Sequence, residues 1–264
     1  MEAVDETDAA NLDIVRLSID NATRMFFIRK ASRSDRAVVE QVLVQKCYDM
    51  RRFRQSVLLG AYYAKLVEQR ATPLIIDAGA NIGASTIWFA SNFPGSHVVA
   101  IEPERSNCEL LRKNCRGLNY NLLEGAISSH DGEGFLHDPG GGEWSYQVRP
   151  RGPGFRVPLH SAARIVTECK ASGMRPFLCK LDIEGGEAEL FHDNVSWLAD
   201  FAVIAIELHD WLFPGTSNSS NFRRAISDLA VDFVYRGENA FVFNHGVYAP
   251  TGDAARLRDG QCSS

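Results

Sequence analysis

The sequence lacks the features that mark membrane-spanning, secreted and nucleic-acid-binding proteins. No apolar run approaches the roughly 18 residues that a transmembrane helix needs. The sequence does not begin with a positively charged stretch followed by an apolar one, as a secretory leader would. The net charge of -5 gives no general attraction to nucleic acid or to anionic membranes. We therefore expect a cytoplasmic protein with no membrane or nucleic-acid partner.

Cysteine chemistry is also sparse. The six cysteines form no Cys-x-x-Cys pair, and the His and Cys residues do not show the spacing of a zinc site. Several cysteines lie inside apolar stretches, where a free thiol packs as a small hydrophobic residue. This pattern is typical of a protein in a reducing compartment.

Apolar runs alternate with helix-like segments along most of the chain. Such alternation is typical of a parallel sheet with helices on both faces. The predicted fold class is therefore α/β, with a Rossmann-like, doubly wound, mostly parallel sheet of seven strands. We predict five buried strands and a closing pair, at residues 74–76, 98–101, 120–123, 177–181, 203–206, 233–235 and 240–243.

The pattern divides the chain into three parts. Residues 1–70 are expected to form an N-terminal appendage of helices and a strand that caps the main domain, with residues 1 to about 18 frayed. Residues 71–245 are expected to form the main domain, which includes a Gly- and Pro-rich hairpin or mobile flap at 128–158. Residues 246–264 are small and polar, and we expect a loose tail.

A glycine-rich turn follows the first of the five buried strands, and its sequence is Asp77-Ala78-Gly79-Ala80-Asn81-Ile82-Gly83. Gly79 would permit a tight turn and the close approach of a ligand. Gly83 would let the next helix begin close to the sheet. Glu102 ends the following strand about twenty residues later, where a carboxylate can accept hydrogen bonds from both hydroxyls of a ribose.

Two details of this turn indicate the ligand. The spacing is Gly-x-x-x-Gly rather than the Gly-x-Gly-x-x-Gly that binds a pyrophosphate. Asp77 would repel a pyrophosphate but would suit an ammonium or a sulfonium group at the mouth of the site. We therefore predict that S-adenosylmethionine binds there, against Asp77, Gly79, Ala80, Asn81, Gly83, Ser85, Glu102 and Ala126. The alternative is a plain strand–turn–helix unit in which Asp77 caps the helix.

Four motifs resemble those of one known family: Asp77-x-Gly79-Ala80-Asn81-Ile82-Gly83, Glu102-Pro103, Lys180-x-Asp182-Ile183-Glu184-Gly185-x-Glu187 and Ile206-Glu207-Leu208-His209. They look like the motifs of FkbM-type methyltransferases, which have the class I S-adenosylmethionine-dependent fold, over about residues 48–243. The resemblance implies O-methylation of a hydroxyl on a sugar, polyketide or other secondary metabolite. It also implies that Tyr48 helps to close over the cofactor. Gly186 stands where the family often has Ala, and the flap around Gly140 is this chain's own.

The third motif concentrates charge at the end of the fourth strand. Methyl transfer is an in-line displacement, and an alcohol needs a general base or a metal to become a good nucleophile. We assign Asp182 to the position that faces the transferred methyl group. Lys180 is expected to pair with Asp182 or to steer the substrate, and Glu184 is expected to orient or tune the site. Glu187 is expected to cap the next helix.

The end of the fifth strand supplies a second group of polar residues. His209 could act as the general base, or it could be a hydrogen-bonded histidine at a strand end. Asp182, Glu207 and His209 could also form an oxygen-rich divalent cation site, because neighbouring strand ends bring them close. We favour a side-chain base over the metal.

The acceptor is predicted to be a small molecule or a glycan. Residues 29–54 are rich in Arg and Lys, which is typical of a solvated helical face and would also suit an anionic acceptor. Neither the identity of the acceptor nor the oligomeric state follows from the sequence. Four aromatic residues on loops near the expected rim could stack on an acceptor ring or simply pack: Trp144, Tyr146, Trp211 and Phe213.

Two other functions fit parts of the pattern. A non-catalytic S-adenosylmethionine-binding protein would keep the glycine turn, but its acidic motif would then cost desolvation energy without serving any chemistry. A nicotinamide-dependent oxidoreductase fits the fold class, but neither the glycine spacing nor Asp77 suits its pyrophosphate.

Overall fold

The computed structural model describes residues 11–19, 22–138, 140, 146–149 and 151–248. Within them, the strands are β1 (Leu12–Ile19), β2 (Ala22–Arg29), β3 (Thr72–Ala78), β4 (His97–Glu102), β5 (Tyr120–Glu124), β6 (Ala126–Ser128), β7 (Gly132–His137), β8 (Gln147–Arg149), β9 (Phe155–Ser161), β10 (Met174–Leu181), β11 (Val203–Glu207), β12 (Val231–Arg236) and β13 (Asn239–Asn244). The α-helices are α1 (Arg33–Val39), α2 (Ser56–Glu68), α3 (Ala84–Asn92), α4 (Arg105–Asn114), α5 (Ala162–Ala171), α6 (Glu187–Leu190), α7 (Ser220–Ala225) and α8 (His245–Tyr248). A π-helical turn, Glu40–Val44, continues α1, and a 3₁₀-helix spans Val195–Asp200.

The main sheet has seven strands in the order β12-β13-β11-β10-β3-β4-β5. The neighbours from β11 to β5 all pair in parallel, whereas β13 runs antiparallel to both β11 and β12. This architecture confirms the predicted doubly wound, mostly parallel sheet. The antiparallel β13 is the second strand of the predicted closing pair.

Strand β3 shows why the sheet has helices on both faces. From Leu74 to Ala78 all of its residues are buried, so the strand has an apolar core on each side. Ile75 packs in one core with residues of α2 and α3, whereas Leu74 and Ile76 pack in the other core with residues of α5. Side chains alternate along a strand, so a continuous apolar run supplies both layers.

The strand order places a crevice at one edge of the sheet. From β3 the chain proceeds outward through β4 to β5, and it later returns to the other side of β3 as β10 and then β11. Ligands of doubly wound folds bind outside the carboxyl ends of the strands at such a reversal. The loops that follow β3, β4, β10 and β11 all meet there.

The N-terminal segment differs from the sequence prediction. Residues 12–18 were expected to fray, but β1 pairs with β2 along its whole length. Strand β2 is anchored because Phe26 and Ile28 are buried and because the Asn114 side chain bonds both backbone groups of Phe27, at 2.7 and 3.0 Å. Cross-strand bonds to an anchored partner outweigh the weak local pattern of β1. Residues 1–10 lie outside the described part.

The region predicted as a hairpin or mobile flap contains most of a small second sheet, with the order β6-β9-β7-β8. Strand β7 pairs antiparallel with both β8 and β9, and β6 joins β9 in parallel. Near the C-terminus, α8 occupies part of the predicted loose tail, and residues 249–264 lie outside the described part. No helix within the described ranges is long and apolar enough to cross a membrane.

Candidate active site

A cavity of about 510 Å³ lies at the strand reversal. Its floor comes from the loops after β3, β4, β10 and β11, and the π-helical turn and Tyr48 cover one side. Strand β8 and the adjacent Tyr146 form another wall. The volume lies in the range of small-molecule and cofactor sites.

Gly79 lets two of these loops approach closely. Its φ is +73°, and an added Cβ would lie 1.8 Å from the backbone oxygen of Asp182. The sequence pattern correctly predicts a tight turn here, but the group that approaches most closely is the neighbouring loop of this chain. Gly83 has φ +91°, and a Cβ there would lie 2.7 Å from the Cys115 sulfur, so α3 begins close against α4.

The side chain of Asp77 is not at the mouth of the site. It is fully buried and accepts hydrogen bonds from the hydroxyls of Ser85, at 2.8 and 3.0 Å, and Thr86, at 2.7 Å. These two donors belong to the first turn of α3, so Asp77 fixes the start of that helix. The carboxylate of Asp77 is therefore bound by its own helix and does not face the cavity, whereas Gly79, Ala80 and Asn81 of the same turn do line it.

Lys180 lies beside Asp77 beneath the glycine turn. Its ammonium donates to the backbone oxygens of Ala78, at 3.1 Å, and Gly79, at 2.7 Å, and lies 3.4 Å from Asp77 Oδ1. Asp182 Oδ2 is farther away, at 3.8 Å. Burial disfavours the charge, but Asp77 and Asp182 outweigh it and raise the pKa of Lys180. The lysine therefore stays cationic and mainly holds the turn.

Glu102 presents a fixed carboxylate to the cavity. One oxygen accepts the backbone N–H of Asn81 at 2.8 Å, and the other accepts from the Glu104 N–H at 3.0 Å and the Asn107 side chain at 3.1 Å. Burial raises the pKa of Glu102, and these hydrogen bonds partly offset the shift. Each carboxylate oxygen accepts about two bonds, so Oε2 retains a free acceptor position.

His209 and Glu187 form a buried pair that the sequence pattern did not predict. His209 Nδ1 lies 2.7 Å from Glu187 Oε1, and the Asn218 side chain bonds the other carboxylate oxygen. The prediction that Glu187 caps α6 is wrong, because its carboxylate bonds His209 and Asn218, and its contact with the Gly185 N–H, which precedes the N-cap residue Gly186, is long at 3.4 Å. Burial lowers the pKa of His209, but the hydrogen bond to Glu187 and the charges of Glu187, Asp182 and Glu184 together outweigh burial, and the pKa rises to about 9.

Three further carboxylates surround the other nitrogen of His209. Nε2 lies 3.5 Å from Glu184 Oε2, 3.5 Å from Glu207 Oε1 and 4.0 Å from Asp182 Oδ1. Burial, and then the charge of Asp182, raise the pKa values of Glu184 and Glu207 to about 7. We call Asp182, Glu184, Glu207 and His209 the acidic cluster. The structure thus brings together the catalytic residues predicted from two strand ends.

Most of the predicted cofactor residues also meet at the cavity. Its lining includes Tyr48, Gly79, Ala80, Asn81, Ser85, Glu102 and Ala126, whereas Asp77 and Gly83 lie behind it. Of the aromatic residues predicted at the rim, Tyr146 and Trp211 line the cavity. Phe213 packs against Gly185, and Trp144 lies outside the described residues.

Several lining residues were missed by sequence reasoning, and two of them are Gln41 in the π-helical turn and Glu238 between β12 and β13. Neither belongs to a motif, and only the tertiary fold brings them to the site. Three arginines of the basic N-terminal segment are paired within it or with β1: Arg29 bonds Asp35, Arg36 bonds Asp13 and Arg51 bonds Asp49.

Comparison with known proteins identifies one family. The Methyltransferase FkbM domain matches residues 77–230, more than half of the chain. No curated protein matches the chain significantly.

Several solved methyltransferase structures are similar at low identity. A methyltransferase from Geobacter sulfurreducens is 16% identical, covering 82% of this chain and 92% of its own, with a TM-score of 0.37. An O-methyltransferase from Bacillus cereus in complex with S-adenosylhomocysteine is 15% identical, covering 79% and 91%, with a TM-score of 0.39. Human Methyltransferase-like protein 13, also in complex with S-adenosylhomocysteine, is 13% identical, covering 78% and 86%, with a TM-score of 0.40.

Because these identities and TM-scores are low, the family assignment rests on the matched domain. That domain begins at Asp77 and includes the glycine turn, Glu102 and the whole acidic cluster. The chain therefore belongs to the FkbM family of methyltransferases.

Proposed function

We propose that this methyltransferase uses S-adenosylmethionine to methylate a hydroxyl of a small molecule or glycan. The observation that carries the proposal is that Glu102 and the three carboxylates of the acidic cluster line one cavity at the strand reversal. Glu102 suits the hydroxyls of a ribose, and the acidic cluster suits an alcohol that must lose a proton. When bound, the cofactor supplies a methyl group on a cationic sulfur.

The residues at the β3–β4 side of the cavity fit the nucleoside part of the cofactor. Glu102 is held by three donors and keeps an acceptor position for a ribose hydroxyl. Ala126 and Ile127, which follow β5, line the adjoining wall and suit an adenine ring. The carboxylates of the acidic cluster provide the negative potential that favours a sulfonium ion.

The residues at the β10–β11 side fit the acceptor. Asp182 Oδ1 is buried, and among the described residues it has no hydrogen-bond partner. An acceptor hydroxyl donating to this oxygen would satisfy it and would point its own lone pair at the methyl group. Glu207 has an oxygen within 4.8 Å of Asp182, and its pKa, raised to about 7, suits a group that receives the proton.

Trp211 supports an acceptor with a ring. Its side chain lines the cavity but is 67% exposed, which is unusual for tryptophan. An aromatic face at the rim of a polar cavity suits the apolar face of a sugar or a polyketide ring. We further propose a cytoplasmic location, which suits the free thiols of Cys47, Cys108, Cys115, Cys169 and Cys179.

Transfer of a labelled methyl group tests the proposed reaction. We expect the purified chain to move label from methyl-labelled S-adenosylmethionine to at least one member of a panel of sugars, nucleotide sugars and polyketide alcohols. Mass spectrometry should locate the added methyl group on oxygen. Label on nitrogen or carbon alone would contradict O-methylation. Thermal stabilisation by NAD with none by S-adenosylmethionine would favour an oxidoreductase instead.

A further inference from the structure

The orientation of His209 carries an inference beyond the methylation reaction. The side chain is 1% exposed, and Nδ1 is committed to Glu187. Nε2 is buried as well, and it has no hydrogen-bond partner in the part of the chain that the structure describes. Burying a polar nitrogen without a partner is costly, so a group that binds Nε2 is expected.

The carboxylates around Nε2 are too distant to act as its hydrogen-bond partner. Glu184 and Glu207 lie at 3.5 Å and Asp182 at 4.0 Å, whereas N–H···O bonds to a charged acceptor are about 2.7–2.9 Å long. Ligand atoms that each lie about 2.1 Å from one ion are about 3.0–4.2 Å apart for the usual bond angles. The spacing of the acidic cluster therefore suits a shared ion.

Glu187 prepares His209 for such an ion. A metal ion displaces the Nε2 proton of a protonated imidazole. The carboxylate that accepts from Nδ1 keeps the remaining proton on that nitrogen, so the lone pair of Nε2 is directed at the cluster. The ring of a metal-binding histidine is usually oriented in this way. The second carboxylate oxygen of Glu187 is in turn fixed by Asn218.

The balance of charge favours a cation at the same point. The three carboxylates of the cluster surround Nε2. The nearby buried ammonium of Lys180 lies closer to Asp77, at 3.4 Å, than to Asp182, at 3.8 Å, and it is already bonded to two backbone oxygens. Potential ligand atoms of Asp182, Glu207 and His209 all lie within 4.8 Å of one another.

We propose that Asp182, Glu207 and His209 bind a divalent transition-metal ion, with Glu184 beside it. One imidazole with carboxylates suits Mn²⁺, Fe²⁺ or Zn²⁺ better than Mg²⁺ or Ca²⁺, which prefer oxygen alone. The site opens into the cavity, so the ion would acidify an acceptor hydroxyl, and this role rests on the proposed function.

Titration of the chelator-treated, desalted chain with Mn²⁺ tests the site directly. The electron paramagnetic resonance signal of free Mn²⁺ should report one bound ion per chain. Pulsed spectra of the bound ion should show coupling to an imidazole nitrogen, and His209→Gln should abolish it. Glu207→Gln, which keeps the side-chain shape, should weaken Mn²⁺ binding at least about tenfold. The exposed Glu109→Gln, on α4, should bind as wild type does.

Absence of stoichiometric binding at millimolar Mn²⁺ would overturn the proposed ion site, and so would binding that Glu207→Gln leaves unchanged. Calorimetry with S-adenosylhomocysteine on the same metal-free protein separates the two proposals. If S-adenosylhomocysteine binds and Mn²⁺ does not, the ion site fails and the methylation proposal stands. If Mn²⁺ binds at the cluster and S-adenosylhomocysteine does not bind with or without it, the methylation proposal fails and the ion site stands.

Discussion

Asp182→Asn is expected to lower kcat by about two to four orders of magnitude, with S-adenosylhomocysteine affinity changed less than about threefold. Asp182 supplies the buried oxygen without a partner at the acceptor side of the cavity. Asparagine has nearly the same shape, and the backbone bond from residue 182 to Ala78, at 3.2 Å, does not depend on the side chain. The loop should therefore keep its position while the charge that accepts the proton or holds the ion is lost.

Turnover at saturating S-adenosylmethionine and acceptor, together with calorimetry, measures this effect. Asp200→Asn is the matched control, because its carboxylate lies on the surface and pairs with Lys170. It should retain kcat. A kcat near the wild-type value for Asp182→Asn would show that Asp182 has no role in the methyl-transfer step.

Gly79→Ala is expected to lower the free energy of unfolding by about 3 kcal/mol or more. A left-handed backbone costs an alanine about 1–2 kcal/mol, and overpacking adds about 1–3 kcal/mol. The added Cβ would lie 1.8 Å from the Asp182 backbone oxygen, which cannot move without shifting the loop after β10. The same displacement would disturb the acidic cluster, so activity should fall with stability.

Urea denaturation of the variant measures this loss. Gly60→Ala provides a matched control in the same protein. Gly60 lies inside α2 with no atom within 4 Å of an added Cβ, so alanine should stabilise the chain by about 0.5–1 kcal/mol. If Gly79→Ala were as stable as wild type, this result would contradict the close packing of the glycine turn against the loop after β10.

The strands and the glycine turn were predictable because their signals are local. Continuous apolar runs such as 74–76 predict strands buried on both faces, and the order of strands and helices predicts the reversal. Gly79 and Gly83 both have a positive φ. Their position directly after a buried strand predicts such a turn, because glycine adopts a positive φ without steric strain. The ends of β4, β10 and β11 then had to meet near that turn.

The remaining features depend on contacts between distant parts of the chain. His209 and Glu187 are 22 residues apart in the sequence. They pair because the fold of the intervening chain brings them together, and this contact takes the place of the predicted helix cap. Asp77 is drawn away from the cavity by two hydroxyls of α3, which a motif of glycines does not reveal. Strand β1 exists because β2 is tied to Asn114. Single-sequence patterns do not contain such partners.

Calorimetric titration with S-adenosylhomocysteine tests the central claim, that the cavity beside Glu102 binds the methyl donor. We expect one binding site per wild-type chain. Glu102→Gln should bind at least about tenfold more weakly, because it loses the charged acceptor of the ribose hydroxyls. Glu109→Gln should bind as wild type does. A wild-type titration without binding heat at several temperatures, or a Glu102→Gln affinity equal to the wild-type affinity, would contradict the claim.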